Sequence, residues 1–205
     1  MPEGGGRATH SMKTALSTTE ILATLREVNA AATAPLWLFG GVAVDFLVGR
    51  WTRPHGDIDL NALARHRGAL TEQLGRIGYR TADTGWLTQW FQDGTGRRLE
   101  IVFLEETADG AVELVIRAGD PVGVPGRYPI VPGYLDPART ATLEEVTFRV
   151  GSPAGEWLAR AAGTDVVGGR PVEPKLAHDR RLLETLLSAD ERERLRRWAA
   201  SARTG

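Results

Sequence analysis

One stretch, LWLFGGVAVDFLVGRWTRPHGDIDL from Leu36 to Leu60, limits the folds open to this chain more than any other. Residues 36–39 form a short apolar run bounded by Pro35 and by Gly40-Gly41. That length and those flanks predict a buried strand ending in a tight turn. Residues 42–48 are apolar apart from Asp45, and Gly49 closes them, which predicts a short helix with a glycine stop. After a polar loop, Asp57-Ile58-Asp59-Leu60 alternates acid with apolar residue. Side chains two apart on a strand share a face, so Asp57 and Asp59 project one way while Ile58 and Leu60 enter a core.

Two neighbouring carboxylates repel each other unless a cation lies between them. Mg2+ suits such a pair, because it takes one or two carboxylates and fills its shell with water and phosphate oxygens. The Gly40-Gly41 turn opens a helix with no Cβ in the way, and backbone N–H groups at a helix start attract phosphate. The segment therefore combines a candidate triphosphate cradle with a candidate metal-holding pair.

These residues resemble the signature of the DNA polymerase beta-like nucleotidyltransferase superfamily: a glycine turn, a short helix, then Asp-x-Asp on a strand. The fuller string, Gly40-Gly41-x-Ala43-x-Asp45 with Thr52-Arg53-x-His55-x-Asp57-Ile58-Asp59, is similar to the aminoglycoside 2''-nucleotidyltransferases and their lincosamide-modifying relatives. The resemblance implies an α+β fold: a mixed β-sheet nucleotidyltransferase domain with flanking helices, followed by a small C-terminal helical domain. It also implies ATP or another nucleoside triphosphate as co-substrate. Arg53 and His55, beside the acidic pair, become candidates for contacting phosphate, or, for His55, for bracing the pair. Asp45 is read as structural.

Composition narrows the partners. The chain has 205 residues, enough to bury a core as one or two small domains, and a formal net charge of −1. Near-neutrality argues against a nucleic-acid partner. With no cysteine, it has no disulfide framework, thiolate nucleophile or cysteine-based zinc site. No apolar run approaches the about 20 residues that span a bilayer, and the N-terminal residues lack the apolar core of a signal peptide. A cytoplasmic protein with no membrane partner is expected, as a monomer or homodimer.

In chain order, residues 1–16 are Gly-rich and polar and are expected to be disordered. Residues 17–150 form the expected nucleotidyltransferase domain. Ser17-Thr18-Thr19-Glu20 is a capping box for a packing helix carrying Ile21, Leu22, Leu25 and Val28. A helix with Leu70, Leu74 and Ile77 on one face stops at Gly78. Strands are expected at 79–83 and 85–91, then a turn at Asp93-Gly94-Thr95-Gly96, then a strand over 97–104. Further strands are expected at 111–117 and 144–150. Residues 120–136, rich in Pro and Gly, read as a long loop, equally a substrate lip bearing Tyr128 and Tyr134 or a surface excursion.

Glu100 interrupts an otherwise apolar strand, which is unusual for an unpaired charge. The family resemblance makes it the third carboxylate, with Glu where the relatives carry Asp. It implies that Asp57 and Asp59 hold Mg2+, while Glu100 takes the acceptor's proton and shares the metal. An acidic cleft from Glu100, Glu105 and Glu106 would favour a cationic acceptor. Residues 151–205 form the expected helical domain, with starts at Ser152-Pro153, Pro174 and the capping box Ser188-Ala189-Asp190-Glu191. Residues 163–171 read as a flexible connector. By resemblance, Lys175 reaches the triphosphate, while Asp179 and the arginines after it read as an exposed salt-bridged face. The implied reaction moves AMP from ATP to a hydroxyl of a small molecule, an aminoglycoside or lincosamide-type antibiotic. A metabolite or protein acceptor is one alternative, and a non-catalytic nucleotide-binding module of the same fold is another.

Overall fold

The computed structural model of the protein describes residues 15–84, 87–120, 124–166 and 173–202. Helix α1 (Thr18–Ala31) starts at the capping box: Ser17 Oγ accepts the Glu20 N–H at 3.2 Å, and the Glu20 carboxylate accepts the Ser17 N–H at 2.7 Å. Its apolar stripe, from Ile21 to Val28, is buried. Strand β1 (Trp37–Phe39) runs straight into α2 (Gly40–Val48), which ends at Gly49 in the left-handed region, φ 72°. Next come β2 (Ile58–Leu63), a 3-10 turn (Ala64–His66) and α3 (Arg67–Arg76).

Then follow β3 (Arg80–Thr84), β4 (Thr88–Gln92), β5 (Arg98–Glu106) and β6 (Val112–Ile116). They form a mixed sheet in the order β1-β2-β5-β4-β3, with β6 on the far end of β5 and β7 (Gly126–Pro129) on β6. Among the described strands of this sheet, β2 and β5 run parallel and the other pairings are antiparallel. Strands β8 (Thr140–Leu143) and β9 (Val146–Arg149) make a separate hairpin. Helices α4 (Pro153–Val166), α5 (Pro174–Glu184) and α6 (Ala189–Ala202) complete the described residues.

The alternation along β2 and β5 determines which sheet face packs. Ile58, Leu60, Leu99 and Ile101 are wholly buried, in one cluster with Leu25, Val28, Leu70 and Leu74. A second cluster joins Val44 of α2 to Trp157, Leu158, Leu183 and Leu195 of α4, α5 and α6. Helix α2 serves both, since Val42, Ala43 and Phe46 belong to the first cluster. A helix apolar on all sides is a buried helix, and every residue from Gly41 to Phe46 is buried.

Several expectations change. Residues 120–136 are not all loop: β7 pairs with β6, because the outer edge of β6 needs backbone partners that a Pro- and Gly-rich segment still supplies. Tyr134 is buried rather than on a lip. The expected strand over 144–150 is the second arm of the β8–β9 hairpin, which turns at Glu144, φ 52°. Helix α4 continues to Val166 through the first part of the expected connector, and residues 167–172 lie outside the described residues. The expected disordered tail likewise lies outside them up to residue 14. Leu16 lies inside, and its N–H donates to the His55 carbonyl at 2.7 Å.

Candidate active site

Asp59 and Glu100 lie side by side on the sheet face opposite the apolar side chains Ile58 and Leu60 of β2. Asp59 stands level with Glu100 of parallel β5 and, on its other side, with Phe39 of β1. Glu100 in turn pairs with Trp90 of β4. Register partners share a face about 4.8 Å apart, so one row runs Phe39, Asp59, Glu100, Trp90. Asp57 lies just before β2, two residues from Asp59. Asp57, Asp59, Glu100 and Trp90 are all half-buried.

Gly40 stands over this row. Its φ is +73°, and a Cβ there would lie 2.2 Å from Asp59 Oδ2. Only glycine lets the turn rest on that carboxylate. At Gly41 a Cβ would lie 2.1 Å from Arg53 Nη2 and 2.8 Å from His55 Cε1. The two glycines thus touch opposite halves of the site: Gly40 the sheet carboxylates, Gly41 the loop after α2.

Behind the turn lies a continuous polar network. Asp45 is fully buried; its Oδ1 accepts from Thr52 N (3.1 Å) and Thr52 Oγ1 (2.5 Å). Its Oδ2 meets His55 Nε2 at 2.6 Å. His55 Nδ1 faces Arg53 Nη1 at 3.2 Å. A guanidinium only donates, so Nδ1 accepts, and the ring proton is on Nε2, donating to Asp45. Arg53 forks onto Asp179 of α5, with Nε to Oδ1 at 3.0 Å and Nη2 to Oδ2 at 2.9 Å. This hydrogen bond raises the Arg53 guanidinium above its ordinary value, although burial works against it.

Asp179 is therefore 1% exposed and not part of a solvated face. Burial alone would push its carboxyl up, but the Arg53 hydrogen bond and the charges of Arg160 and Arg53 prevail and hold it below the usual range. Arg160 of α4 approaches Asp179 Oδ2 with Nε at 3.5 Å and gives Nη1 to Glu156 Oε2 at 2.7 Å. Glu156 Oε2 also accepts the Gly40 N–H at 3.2 Å, and its Oε1 accepts the Tyr134 hydroxyl at 2.6 Å. Burial, then the nearby Glu156 charge, raise the Tyr134 phenol well above its ordinary value, so it acts as a neutral donor. Asn61 of β2 donates to the same hydroxyl at 2.9 Å and returns the network to the sheet.

Of the residues singled out in the sequence, Asp59, Glu100 and Gly40 are brought together, Asp57 precedes Asp59 by two residues, and Gly41 faces Arg53 and His55. Arg53 and His55 stand directly behind Gly41, and their hydrogen bonds go to Asp179 and Asp45 rather than to the Asp57–Asp59 pair. Lys175 is exposed in the first turn of α5, where its Nζ pairs with Glu173 at 3.0 Å. It lies one turn before Asp179, on the same side of the helix. Glu105 and Glu106 do not join the site. They are five and six residues along β5 from Glu100, about 16 Å or more away. Glu105 pairs with Arg117 at 3.0 Å, and Glu106 pairs with Arg65. With Leu63 and Ala64 they line a cavity of about 350 Å³ at that end of the strands.

Of the network residues, Glu156 and Arg160 escaped the sequence reading, while Tyr134 was expected on a substrate lip and Asp179 on an exposed face. The available signal was Glu156 beside Trp157 in an apolar helix start, a carboxylate in a place where burial demands a partner.

The donor set at the sheet row is all hard oxygen. Among the described residues no three acidic or histidine side chains converge into a metal cluster. A fully formed cage is not what Mg2+ needs, because water and substrate phosphates complete its shell. The row therefore fits Mg2+ through Asp57 and Asp59. A carboxylate row beneath a glycine turn at a helix start suits handling a phosphate chain and a hydroxyl side by side.

That arrangement is what a nucleotidyltransferase-type site needs. Over residues 18–128 the sequence matches the model of the aminoglycoside-2''-adenylyltransferase family, and the chain belongs to that family. It is similar to a 2''-aminoglycoside nucleotidyltransferase of Escherichia coli, at 41% identity over 73 residues, 34% of this chain. The match spans 39% of that relative's length. The fold is similar to the solution structure of the antibiotic-resistance factor ANT(2'')-Ia, with TM-score 0.70, 26% identity, and 92% and 94% of the two chains covered. The same factor in complex with adenylyl-2''-tobramycin gives TM-score 0.67 at 26% identity, over 88% and 97%. A lincomycin-bound lincosamide antibiotic adenylyltransferase has the same fold, with TM-score 0.62 at 19% identity, over 85% and 100%. No helix among the described residues is long and apolar enough to cross a membrane.

Proposed function

We propose that the protein is an Mg2+-dependent adenylyltransferase that moves AMP from ATP to a hydroxyl of an aminoglycoside, releasing pyrophosphate. The observation that carries this reading is the row itself: Asp59 level with Glu100, with Gly40 pressed on the Asp59 carboxylate. Family membership supports it, as does the product-like ligand named for the solved relative, adenylyl-2''-tobramycin.

Each residue then has a physical task. Gly40 and Gly41 present a side-chain-free turn to the triphosphate, braced from behind by Arg53 and His55. Lys175, one turn from the buried Asp179, adds a cation from the helical side. Asp57 and Asp59 hold the Mg2+, which when bound supplies charge neutralisation at the phosphates. Glu100 accepts the proton of the acceptor hydroxyl. The oxygen forms a bond to the α-phosphorus, the bond from that phosphorus to the bridging oxygen breaks, and pyrophosphate leaves with the electron pair. Holding both reactants in line supplies most of the acceleration in such transfers.

The acceptor is cationic by this reading, as an aminoglycoside is; Glu105 and Glu106, paired with arginines, are not what draws it. The test is pyrophosphate release with Mg2+ and each nucleoside triphosphate across aminoglycosides, lincosamides and neutral hydroxyl compounds, with Asp57→Ala/Asp59→Ala protein as the blank. Turnover with an aminoglycoside and ATP, absent in the blank, is expected. Turnover only with another acceptor class would transfer the reading to that class. Silence together with no Mg-dependent nucleotide binding would sink it.

A further inference from the structure

The glycine turn lacks a local restraint. Phe39, the residue before α2, makes no side-chain cap, and Gly40 holds a left-handed φ of 73°. The acceptor for the Gly40 N–H comes instead from Glu156, 116 residues away. That carboxylate is 1% exposed, and both its oxygens are engaged: Oε2 by Arg160 as well as Gly40, Oε1 by Tyr134. Tyr134 fits against α4 because Gly151 and Gly155 leave room; a Cβ at either would lie within 2.3 Å of its ring. Arg160 reaches on to Asp179, which holds Arg53 against Gly41. Both glycines therefore rest on groups anchored by the C-terminal helices.

We propose that Glu156 is a positioning residue: its carboxylate, by its reach from α4, keeps the Gly40 turn seated on Asp59. The inference rests on the adenylyl-transfer reading, because the seated turn matters for holding the triphosphate against the carboxylate row. A misplacement of about 1 Å at a reacting centre can cost about 100-fold in rate. The effect should follow the length of the side chain more than its charge. Glu156→Gln keeps an oxygen of the same reach for Gly40 and Arg160. Glu156→Asp keeps the charge but falls one carbon short.

The experiment measures kcat, the KM for ATP and the KM for the acceptor in the full chain for Glu156→Gln and Glu156→Asp. Mg-ATP binding is measured by calorimetry and folding by thermal melting. Expected are a kcat for Glu156→Asp lower by about 10- to 100-fold, an acceptor KM within about twofold, and recovery of most of the rate in Glu156→Gln. Wild-type kcat in Glu156→Asp would overturn the proposal. So would the reverse order, with Asp active and Gln impaired, since charge would then be what counts. Tighter Mg-ATP binding in Glu156→Asp would also overturn it, since the carboxylate would then be a competitor of phosphate. Loss of kcat only in proportion to a lowered melting point would mean a merely structural group. If the wild type transfers nucleotide to no acceptor, the transfer reading fails separately, and binding decides. About tenfold weaker Mg-ATP binding in Glu156→Asp but not Glu156→Gln supports the positioning role, and equal binding in both removes it.

Discussion

The two sides of the glycine turn are built on opposite principles. On the sheet side, Asp57, Asp59 and Glu100 are half-buried, and strand register sets Asp59 level with Glu100. On the helical side, Asp45, Asp179 and Glu156 are buried, each is hydrogen-bonded, and Arg53 and Arg160 are interleaved among them. Half-buried carboxylates stay within reach of a cation from solvent; buried ones compensated inside the protein hold the chain in place. The first arrangement suits chemistry and the second suits positioning.

Mutation can break this contrast. The largest effect is expected from Asp59→Ala, which should lower kcat by about 1,000-fold, the scale of removing a main electrostatic contributor to a transition state. Its melting point should fall less than that of Asp179→Ala, because Asp59 is half-buried rather than fully buried. A large loss of stability would mean that the sheet row is structural. Asp179→Ala should behave the other way. Breaking a buried pair strands Arg53 and leaves the buried Arg160 with Glu156 alone, and a loss of about 3 kcal/mol is expected in denaturant melts. Mg-ATP binding should weaken as a secondary consequence of the displaced turn.

The pH dependence of stability sharpens the same point with a smaller effect. The Asp179 carboxyl is held below its ordinary value of 3.8 in the folded protein. Its contribution is thus fully present above that ordinary value and is lost as pH falls through the lower folded one. The stability gap between wild type and Asp179→Asn should be level at neutral pH and shrink only below about 3.8. A gap that narrows near neutrality would implicate another group. The smallest effect on stability is expected from Lys175→Ala. The Lys175–Glu173 pair is exposed, and such pairs contribute about 0–1 kcal/mol. The melting point should barely move while the KM for ATP rises several-fold. An unchanged KM would remove Lys175 from the site.

Local chemistry made much of the fold legible in advance. Ser17 and Glu20 announce α1, Gly49 and Gly78 end α2 and α3, and the alternation Ile58-Asp59-Leu60 tells which residues enter the core. The 120–136 segment misleads because β7 is created by the open edge of β6, a partner that lies outside the segment's own pattern. Asp179 misleads for a related reason. Followed by two arginines on a helix, it has the composition of a solvated face, yet Arg53 of a distant loop draws it inside.

The sequence by itself determined most of the elements and the core face of β2 and β5, because these follow from periodicity and from residues close together in the chain; Glu100 became a candidate partner of Asp59 through the family resemblance, not through periodicity. Tertiary structure alone decided that Asp59 stands level with Glu100, that Glu105 and Glu106 are neutralised at the other end of β5, and that Glu156 and Asp179 support the glycine turn. Those outcomes depend on strand register and on buried charges finding partners up to 126 residues apart. In the interior a charge must be satisfied by whichever group the fold brings near it, and sequence spacing carries no record of that choice.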